Sequence, residues 1–564
     1  MKLRQPLKNL GPDGFPAILL LKCAKSLSAP LAIFWNKCMA TSYIPPSLKF
    51  SIIVPIHKGG SKSDPANYRP VSLTSHLIKV YEKVLRNKLV DFLEANNGLN
   101  KNQHGFRSGR SCLTQLLAHF DNVIALLEEG LNVDVVYLDF AKAFDKVDHN
   151  ILLKKAQKLG IQGPVLKWIQ KFLDKRTQSV IVNGRISAPQ PVISGVPQGS
   201  VLGPLLFLIL ISDIDKDTRH SMVASFADET RVTKGIKAEE DAVNLQEDLF
   251  NIYQWSIQNN MQFNSIKFDL MRYGKDDDLK SSTAYISPEW ELIEQKQNVK
   301  DLGITMSDDC SFKTHINNII QSGKNMASWI LRTFLTRDQT TMLTLFTSLV
   351  RPILEYSSVL WGPIGKGDIQ RIEEIQQSFI RKIKGINRQY SQALKDLNLY
   401  SLERRRERYQ ILQVWKMLEG KVPNLNDTPS SSLQIQTSFV SRRGRTIRLP
   451  HLATTPTYLQ QIKQQTIRCF GAKLFNCLPK YIRNITNSTT EHFKFKLDQF
   501  LQTVEDQPIL RSGASNSRTY CSNHIYDCFN PLNNLEHTSH GVSNIPHPGE
   551  ILHRRRTIEE LLIS

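Results

Sequence analysis

Three carboxylates, Asp139, Asp228 and Glu229, sit in short blocks whose order suggests that they act together. Asp139 closes the β-branched run VDVVYL within YLDFAKAFDKVDH, Tyr137 to His149. Asp228 and Glu229 belong to SFADET, Ser225 to Thr230. Between them lies SGVPQGSVLGPLLF, Ser194 to Phe207, where Gly195 and Gly199 let the backbone approach a ligand closely. Carboxylates on adjacent strands can clamp two divalent ions about 4 Å apart, the arrangement used for phosphoryl transfer. Mg²⁺ suits such a site, since it takes oxygen ligands together with a substrate phosphate. Singly, each feature is ordinary: an Asp after a strand is usually a turn residue or helix cap, and adjacent acids at a turn are usually solvated. The combination carries the weight.

The surrounding pattern supplies the elements that must hold these groups. Ser51 to Ile56 reads as a β-rich run and Val71 to Asn96 as an amphipathic helix, with Leu77, Val80, Val84 and Leu85 near helical spacing. Cys112 to Glu129 is a further helix and Val133 to Leu138 a buried strand. Leu205 to Ile211 forms the helix behind the Gly/Pro turn, and Met222 to Phe226 a short strand with Thr230 to Val232 as its return. Asp309 to Gly420 is helical in pattern, Asn424 to Ser441 a polar linker, and Tyr458 to Val504 a smaller helical module. The final stretch lacks apolar periodicity and reads as disordered.

Composition narrows the class. The chain has 564 residues, 41% hydrophobic and 22% charged, which is globular. Its net charge of +20 points to a polyanionic partner. Eight cysteines are too sparse for a disulfide scaffold. No apolar run approaches the roughly 20 residues that span a bilayer, and the N-terminus lacks a signal-peptide core. The expectation is an intracellular protein, nuclear or cytoplasmic, neither secreted nor membrane-bound.

The three blocks and their flanks resemble the reverse transcriptases of non-LTR (LINE-like) retrotransposons, over roughly Asn9 to Arg483. The resemblance implies an α+β right-hand polymerase: fingers, a palm with an antiparallel sheet, a helical thumb and a mostly helical basic C-terminal region. The expected divisions are a helical lead-in at 1–37, fingers and palm at 38–306, thumb and connection at 307–423, a linker at 424–441, a small module at 442–510 and a tail at 511–564. It assigns Asp139, Asp228 and Glu229 to two Mg²⁺, for which Mn²⁺ can substitute. Where the family has a second aspartate, this chain has Glu229. Lys58 and Arg69 are expected on the triphosphate, Gln198 and Gly199 at the nucleotide, and Phe144, five residues beyond Asp139, under the sugar. Lys267 is either a plain surface lysine or the group that meets the leaving pyrophosphate. Arg107 and Arg110 are expected on the template backbone, with Arg404, Arg405 and Arg406 as a further phosphate-binding cluster.

The activity so implied is RNA-templated extension of a DNA primer with dNTPs. An RNA-dependent RNA polymerase shares the palm, but Phe144 and the Ala227-Asp228 pair argue against it. The alternative from another class is a non-catalytic nucleic-acid-binding remnant of such an element. No endonuclease or RNase H module is recognisable, so a primer source is expected from elsewhere. Cys521, His524, Cys528 and His537 form a weaker zinc candidate of irregular spacing.

Overall fold

The computed structural model describes residues 11–363, 365–386, 389–423, 457–508 and 523–525. The expected linker at 424–441, and the tail apart from Asn523 to Ile525, lie outside these residues. The fold is mixed α+β. In chain order the strands are β1 (Phe50–His57), β2 (Tyr68–Leu73), β3 (Asn132–Leu138), β4 (Arg176–Val182), β5 (Arg185–Ile186), β6 (Gln190–Val192), β7 (Met222–Phe226), β8 (Glu229–Ile236), β9 (Asp269–Tyr273), β10 (Asn298–Asp301) and β11 (Ile304–Ser307). An antiparallel sheet in the order β7-β8-β3-β9 lies at the centre. A second sheet runs β2-β1-β4-β5, with β6 also on β4, and β10 pairs with β11.

β3 is an interior strand, and its β-branched sequence fits that place because both its faces are covered. Alternate residues serve different cores. Val133 and Val135 pack with Leu116, Phe120 and Val123 of the helix Cys112–Glu128. Val136 and Leu138 pack with Leu206 and Phe207 of the helix Gly203–Leu210 and with Leu249 of the helix Glu239–Gln258. The sheet therefore divides two hydrophobic cores.

The expected helix at 71–96 begins later in the structure. Val71 to Leu73 belong to β2, paired in register with Val54 to Ile52 of β1. The helix His76–Ala95 then starts behind Ser75, whose hydroxyl accepts from the Leu77 N–H at 3.1 Å. Three residues of mixed polarity fit either element, and here the partner strand decides. The return strand β8 runs well past Val232, to Ile236. Beyond Lys313 the described residues are largely helical, including Lys313–Thr333, Lys366–Ile380, Leu402–Leu418 and Thr490–Leu501. Trp415 stacks on Phe493 at 4.4 Å, joining two of these helices. No helix among the described residues is long and apolar enough to cross a membrane.

Two buried ion contacts bind the central sheet. Arg231 of β8 meets Asp301 of β10 at 2.8 Å, and Arg272 of β9 lies 3.5 Å from Asp134 of β3. Asp134 also accepts from the Tyr285 hydroxyl at 2.6 Å. Breaking a buried pair from one side leaves an uncompensated charge, at a cost of about 3–5 kcal/mol. Arg231→Met should therefore lower the unfolding free energy by about that amount, and adding Asp301→Leu should recover most of it. Urea unfolding of the single and double variants measures both; an equally destabilised double variant would mean that shape rather than charge matters there.

Candidate active site

The tip of the β7–β8 hairpin is a two-residue turn, since Phe226 pairs directly with Glu229. Ala227 takes φ +55°, a conformation that usually selects glycine at this place in a tight hairpin. Gln103 holds it there. Its Oε1 accepts from Ala227 N–H at 2.8 Å and from Gly105 N–H at 2.7 Å, while its Nε2 donates to the Ala227 carbonyl at 3.2 Å. His104 N–H donates to Ser225 O and Ser225 N–H to Asn102 O, so Asn102 to His104 covers the open edge of β7. A Cβ on Gly105 would fall 2.4 Å from the Ala227 nitrogen, which leaves no room for any other residue.

Asp139 follows β3 directly. Because Leu138 pairs with Thr230 and Thr230 with Ser225, Asp139 arrives beside the turn. Burial, and then the charge of Asp139, push the Asp228 carboxyl above its usual range, while Arg69 and Lys267 oppose the shift. The Lys267 ammonium contacts the Asp139 carboxylate. It is positioned by a strap: Asn264 N–H donates to Asp139 O and Ala141 N–H to Gln262 O, both at 2.8 Å, and Phe140 stacks on Phe263 at 4.3 Å. Asp139 and Asp228 offer carboxylate oxygens of the kind a divalent ion takes, their charge partly offset by Lys267 and Arg69. Glu229 is exposed at the start of β8. Its carboxyl is raised by partial burial and then by Asp301, Asp228 and Asp139. Among the described residues no three His, Cys, Asp or Glu side chains form a metal-holding group, so Glu229 is not drawn into a set with the other two.

Around this pair the Gly/Pro turn is held by close backbone packing. Gly195 has φ +86°, and a Cβ there would lie 2.8 Å from the Asp145 backbone. At Gly199, φ +128°, it would lie 2.4 Å from Ser72 O. Buried Glu82 accepts from the N–H groups of Val201 and Leu202 at 2.7 and 2.8 Å. Gln198 donates to Asp145 at 3.0 Å. Burial raises the Asp145 carboxyl, against Gln198, Lys142 and Lys58, which places Lys58 in the same neighbourhood. Phe144 is half-buried, stacked on Phe207 at 4.6 Å and edge-on to Phe106 at 6.0 Å. Gln103, Glu82 and Asp145 had no role assigned from the sequence. Only Asp145 was signalled, by its position inside the block Tyr137 to His149.

The arginine cluster requires a correction. Arg404 and Arg406 are buried, at 0% and 5% exposure, and cannot reach a phosphate backbone from there. Arg404 donates to the carbonyls of Glu505 and Asn523, at 3.0 and 2.9 Å. Arg405 pairs with Glu355 and donates to the Tyr409 hydroxyl at 2.7 Å. Arg406 lies among Glu373, Glu403, Glu355 and Glu407. The run is a structural clasp for the acidic residues packed around it. Arg107 pairs with Glu94, and Arg110 donates to Lys101 O at 2.6 Å. Of the zinc candidates, Cys521, Cys528 and His537 lie outside the described residues, and His524 meets Glu407 at 2.9 Å.

The reverse transcriptase (RNA-dependent DNA polymerase) family matches residues 56–306, the span that carries this whole constellation. Residues 56–306 are a reverse transcriptase domain. It is related to the polymerases of non-LTR retrotransposons. The RNA-directed DNA polymerase from the mobile element jockey of Drosophila melanogaster is 30% identical over 367 residues, 63% of this chain and 40% of that protein. The probable RNA-directed DNA polymerase from transposon X-element of the same fly is 29% identical over the same shares. A Pol polyprotein from the type-1 retrotransposable element R2 of Popillia japonica is 29% identical over 28% of this chain and 22% of that protein. The chain thus spans about 40% of the length of the first of these curated relatives. Among solved structures, telomerase from Candida albicans in complex with a TWJ fragment of telomeric RNA aligns over 69% of this chain and 72% of that one, at 12% identity and a TM-score of 0.38.

The clamp on the reverse transcriptase hairpin has a direct test. Gln103→Leu leaves the Ala227 and Gly105 N–H groups buried and unpaired, at about 1–3 kcal/mol each. Amide exchange across Ser225 to Thr230 should then accelerate by about tenfold for each 1.4 kcal/mol lost. Unchanged exchange would show that the turn holds without Gln103.

Proposed function

We propose that the protein is an RNA-directed DNA polymerase of right-hand architecture. In this reading the central sheet is the palm, the second sheet, β2-β1-β4-β5, and its flanking helices are the fingers, and 307–423 is the thumb and connection. The helical module follows within 442–510. The observation that supports it most is the meeting of Asp139 and Asp228 beside one hairpin tip, with Lys267 and Arg69 as their cations. The template is RNA, the primer DNA, and the substrates dNTPs. The primer 3′-oxygen bonds to the α-phosphorus as the bond to the β-phosphate oxygen breaks and pyrophosphate leaves.

Asp139 and Asp228 are the residues that would hold Mg²⁺, with Glu229 in the supporting place. When bound, the two ions activate the attacking hydroxyl and screen the charge that develops on the phosphates. Arg69 and Lys58 supply a guanidinium fork and a point charge for the triphosphate. Lys267 leaves Asp139 to meet the departing pyrophosphate. Phe144, fixed in orientation by Phe207, lies under the sugar and leaves no space for a 2′-hydroxyl. Gln198 is oriented toward the nucleotide by Asp145, and Gly199 keeps that backbone close. Arg107 and Arg110 stay near the template path. One feature favours the second reading, a nucleic-acid-binding protein without catalysis: Glu229 stands where the family has a second aspartate.

Primer extension decides between the readings. Asp139→Asn and Asp228→Asn should each reduce extension by on the order of 10²-fold or more, the cost of misplacing a reacting group by about 1 Å. No extension by the unmodified protein with either Mg²⁺ or Mn²⁺ would favour the non-catalytic reading. Glutamate is one methylene longer than aspartate, which moves its carboxylate outward by about 1.5 Å on a fixed backbone. Metal-site groups need placement within about 0.5 Å. Glu229→Asp should therefore raise Mg²⁺-dependent extension, and the natural protein should do relatively better with Mn²⁺; equal rates in Mg²⁺ would clear Glu229 of any handicap. Phe144→Ala should raise ribonucleotide relative to deoxynucleotide incorporation, and unchanged discrimination would take Phe144 out of that role.

A further inference from the structure

Two costs meet at Phe106, in the loop that clamps the hairpin. Its backbone takes φ +57°, the left-handed region that bulky side chains seldom adopt. Its ring is 46% exposed, so full burial is not there to offset the strain. Strained residues persist where their surroundings over-determine them, and they gather at functional sites. At Phe106 those surroundings are plain. Gln103 Oε1 accepts from the Gly105 N–H at 2.7 Å and from the Ala227 N–H at 2.8 Å, and Gly105 packs against the Ala227 nitrogen. One amide thus fixes both the backbone just before Phe106 and the turn that presents Asp228.

The ring so held lies edge-on to Phe144, with centroids 6.0 Å apart and planes at 80°. Phe144 also stacks on Phe207, at 4.6 Å and 16°. Phe207 is fully buried in the helix Gly203–Leu210, so that contact comes from the core, whereas Phe106 supplies one from the exposed loop. A ring stacked on a single neighbour can still slide across it. A second ring set nearly perpendicular removes that freedom, and both geometries are favourable for aromatic pairs. We infer that Phe106 is a positioning residue for sugar selection: it holds Phe144 in the orientation that excludes a 2′-hydroxyl. This role rests on the polymerase reading, in which Phe144 lies under the sugar. It adds a physical link to that reading, since the Gln103 amide that fixes the turn bearing Asp228 also fixes the loop that steadies Phe144.

Single-nucleotide primer extension by the full chain, on an RNA template with Mg²⁺ or Mn²⁺, gives kcat/KM for a deoxynucleotide and for its ribonucleotide. Phe106→Gly keeps the left-handed backbone available and removes only the ring. It should raise the ribonucleotide-to-deoxynucleotide ratio by about two- to tenfold, the factor that one edge-to-face ring pair carries. A loop merely loosened would lower both rates together and leave the ratio where it was. In a Phe144→Ala background the same change should leave the ratio unmoved, because no ring remains to be held. Phe106→Tyr keeps the ring and should keep the natural ratio. Should Phe106→Gly fail to fold, Phe106→Asn also tolerates the left-handed region and takes its place. An unmoved ratio, an equal rise with and without Phe144, or a loss of both activities in the Gly and Asn variants overturns the role of Phe106 and leaves the polymerase reading standing. If the unmodified protein extends with neither nucleotide, the polymerase reading itself fails and this role falls with it.

Discussion

The site depends on a strained turn that a neighbouring side chain keeps in place. An L-residue in the left-handed region costs roughly 1–2 kcal/mol relative to glycine. Ala227 accepts that cost because Gln103 takes up both of its backbone polar groups and Gly105 presses against its nitrogen. A flexible glycine at 227 would relieve the strain and also loosen Asp228, the residue the turn presents. Ala227 with an external clamp gives a fixed tip. The edge pairing of Asn102 to His104 has a second effect, since it covers the backbone of β7, which would otherwise be an open edge.

That tip is useful only because the sheet beneath it is rigid. β3 has no solvent face, so its register against β8 and β9 is fixed by both cores at once: a slip by one residue would exchange Val133 and Val135 with Val136. Asp139 is the first residue beyond this constraint, and its carbonyl is tied at once by Asn264 N–H. Its side chain thus emerges from the most constrained strand, and Lys267 arrives through the same strap. Arg231 and Asp301 extend the constraint sideways to β10. Segments distant in sequence converge on two carboxylates, through backbone pairing at Asn102 to His104 and at Asn264 and through the side chains of Gln103 and Lys267.

What was legible in the sequence follows from this. The β-branched run before Asp139 can hardly be anything but an interior strand, and a hairpin tip is the simplest way to present Ala227 and Asp228. Gly195 and Gly199 were read as letting the backbone approach a ligand; what comes close at both in the structure is the chain's own backbone, at Asp145 and at Ser72. The start of the helix after β2 was not legible, because pairing with β1 takes Val71 to Leu73 and nothing local forbids a helix there. Arg404 to Arg406 misled for a different reason. A run of arginines normally marks a solvated face, and only the fold reveals Glu355, Glu373, Glu403 and Glu407 gathered around it. Gln103 was invisible as a clamp, since a polar residue in a polar loop carries no sign of which backbone it will meet.

The electrostatics of the hairpin make one last point about Glu229. Asp139 and Asp228 are neighbours whose mutual repulsion is countered by two cations, Arg69 and Lys267. Glu229 faces more acid than base, with Asp301, Asp228 and Asp139 against Arg231, and Arg231 is already engaged with Asp301. Its charge is therefore poorly matched within the protein, and exposure to solvent is the cheapest remedy for it. A third carboxylate would be drawn inward only by added positive charge, which the polypeptide around the turn does not supply. In the proposed polymerase reading a divalent ion on Asp139 and Asp228 would bring that charge, whereas the Lys267 ammonium brings half as much and sits against Asp139 alone. The chain's own cations thus serve two of the three carboxylates and leave Glu229 to solvent.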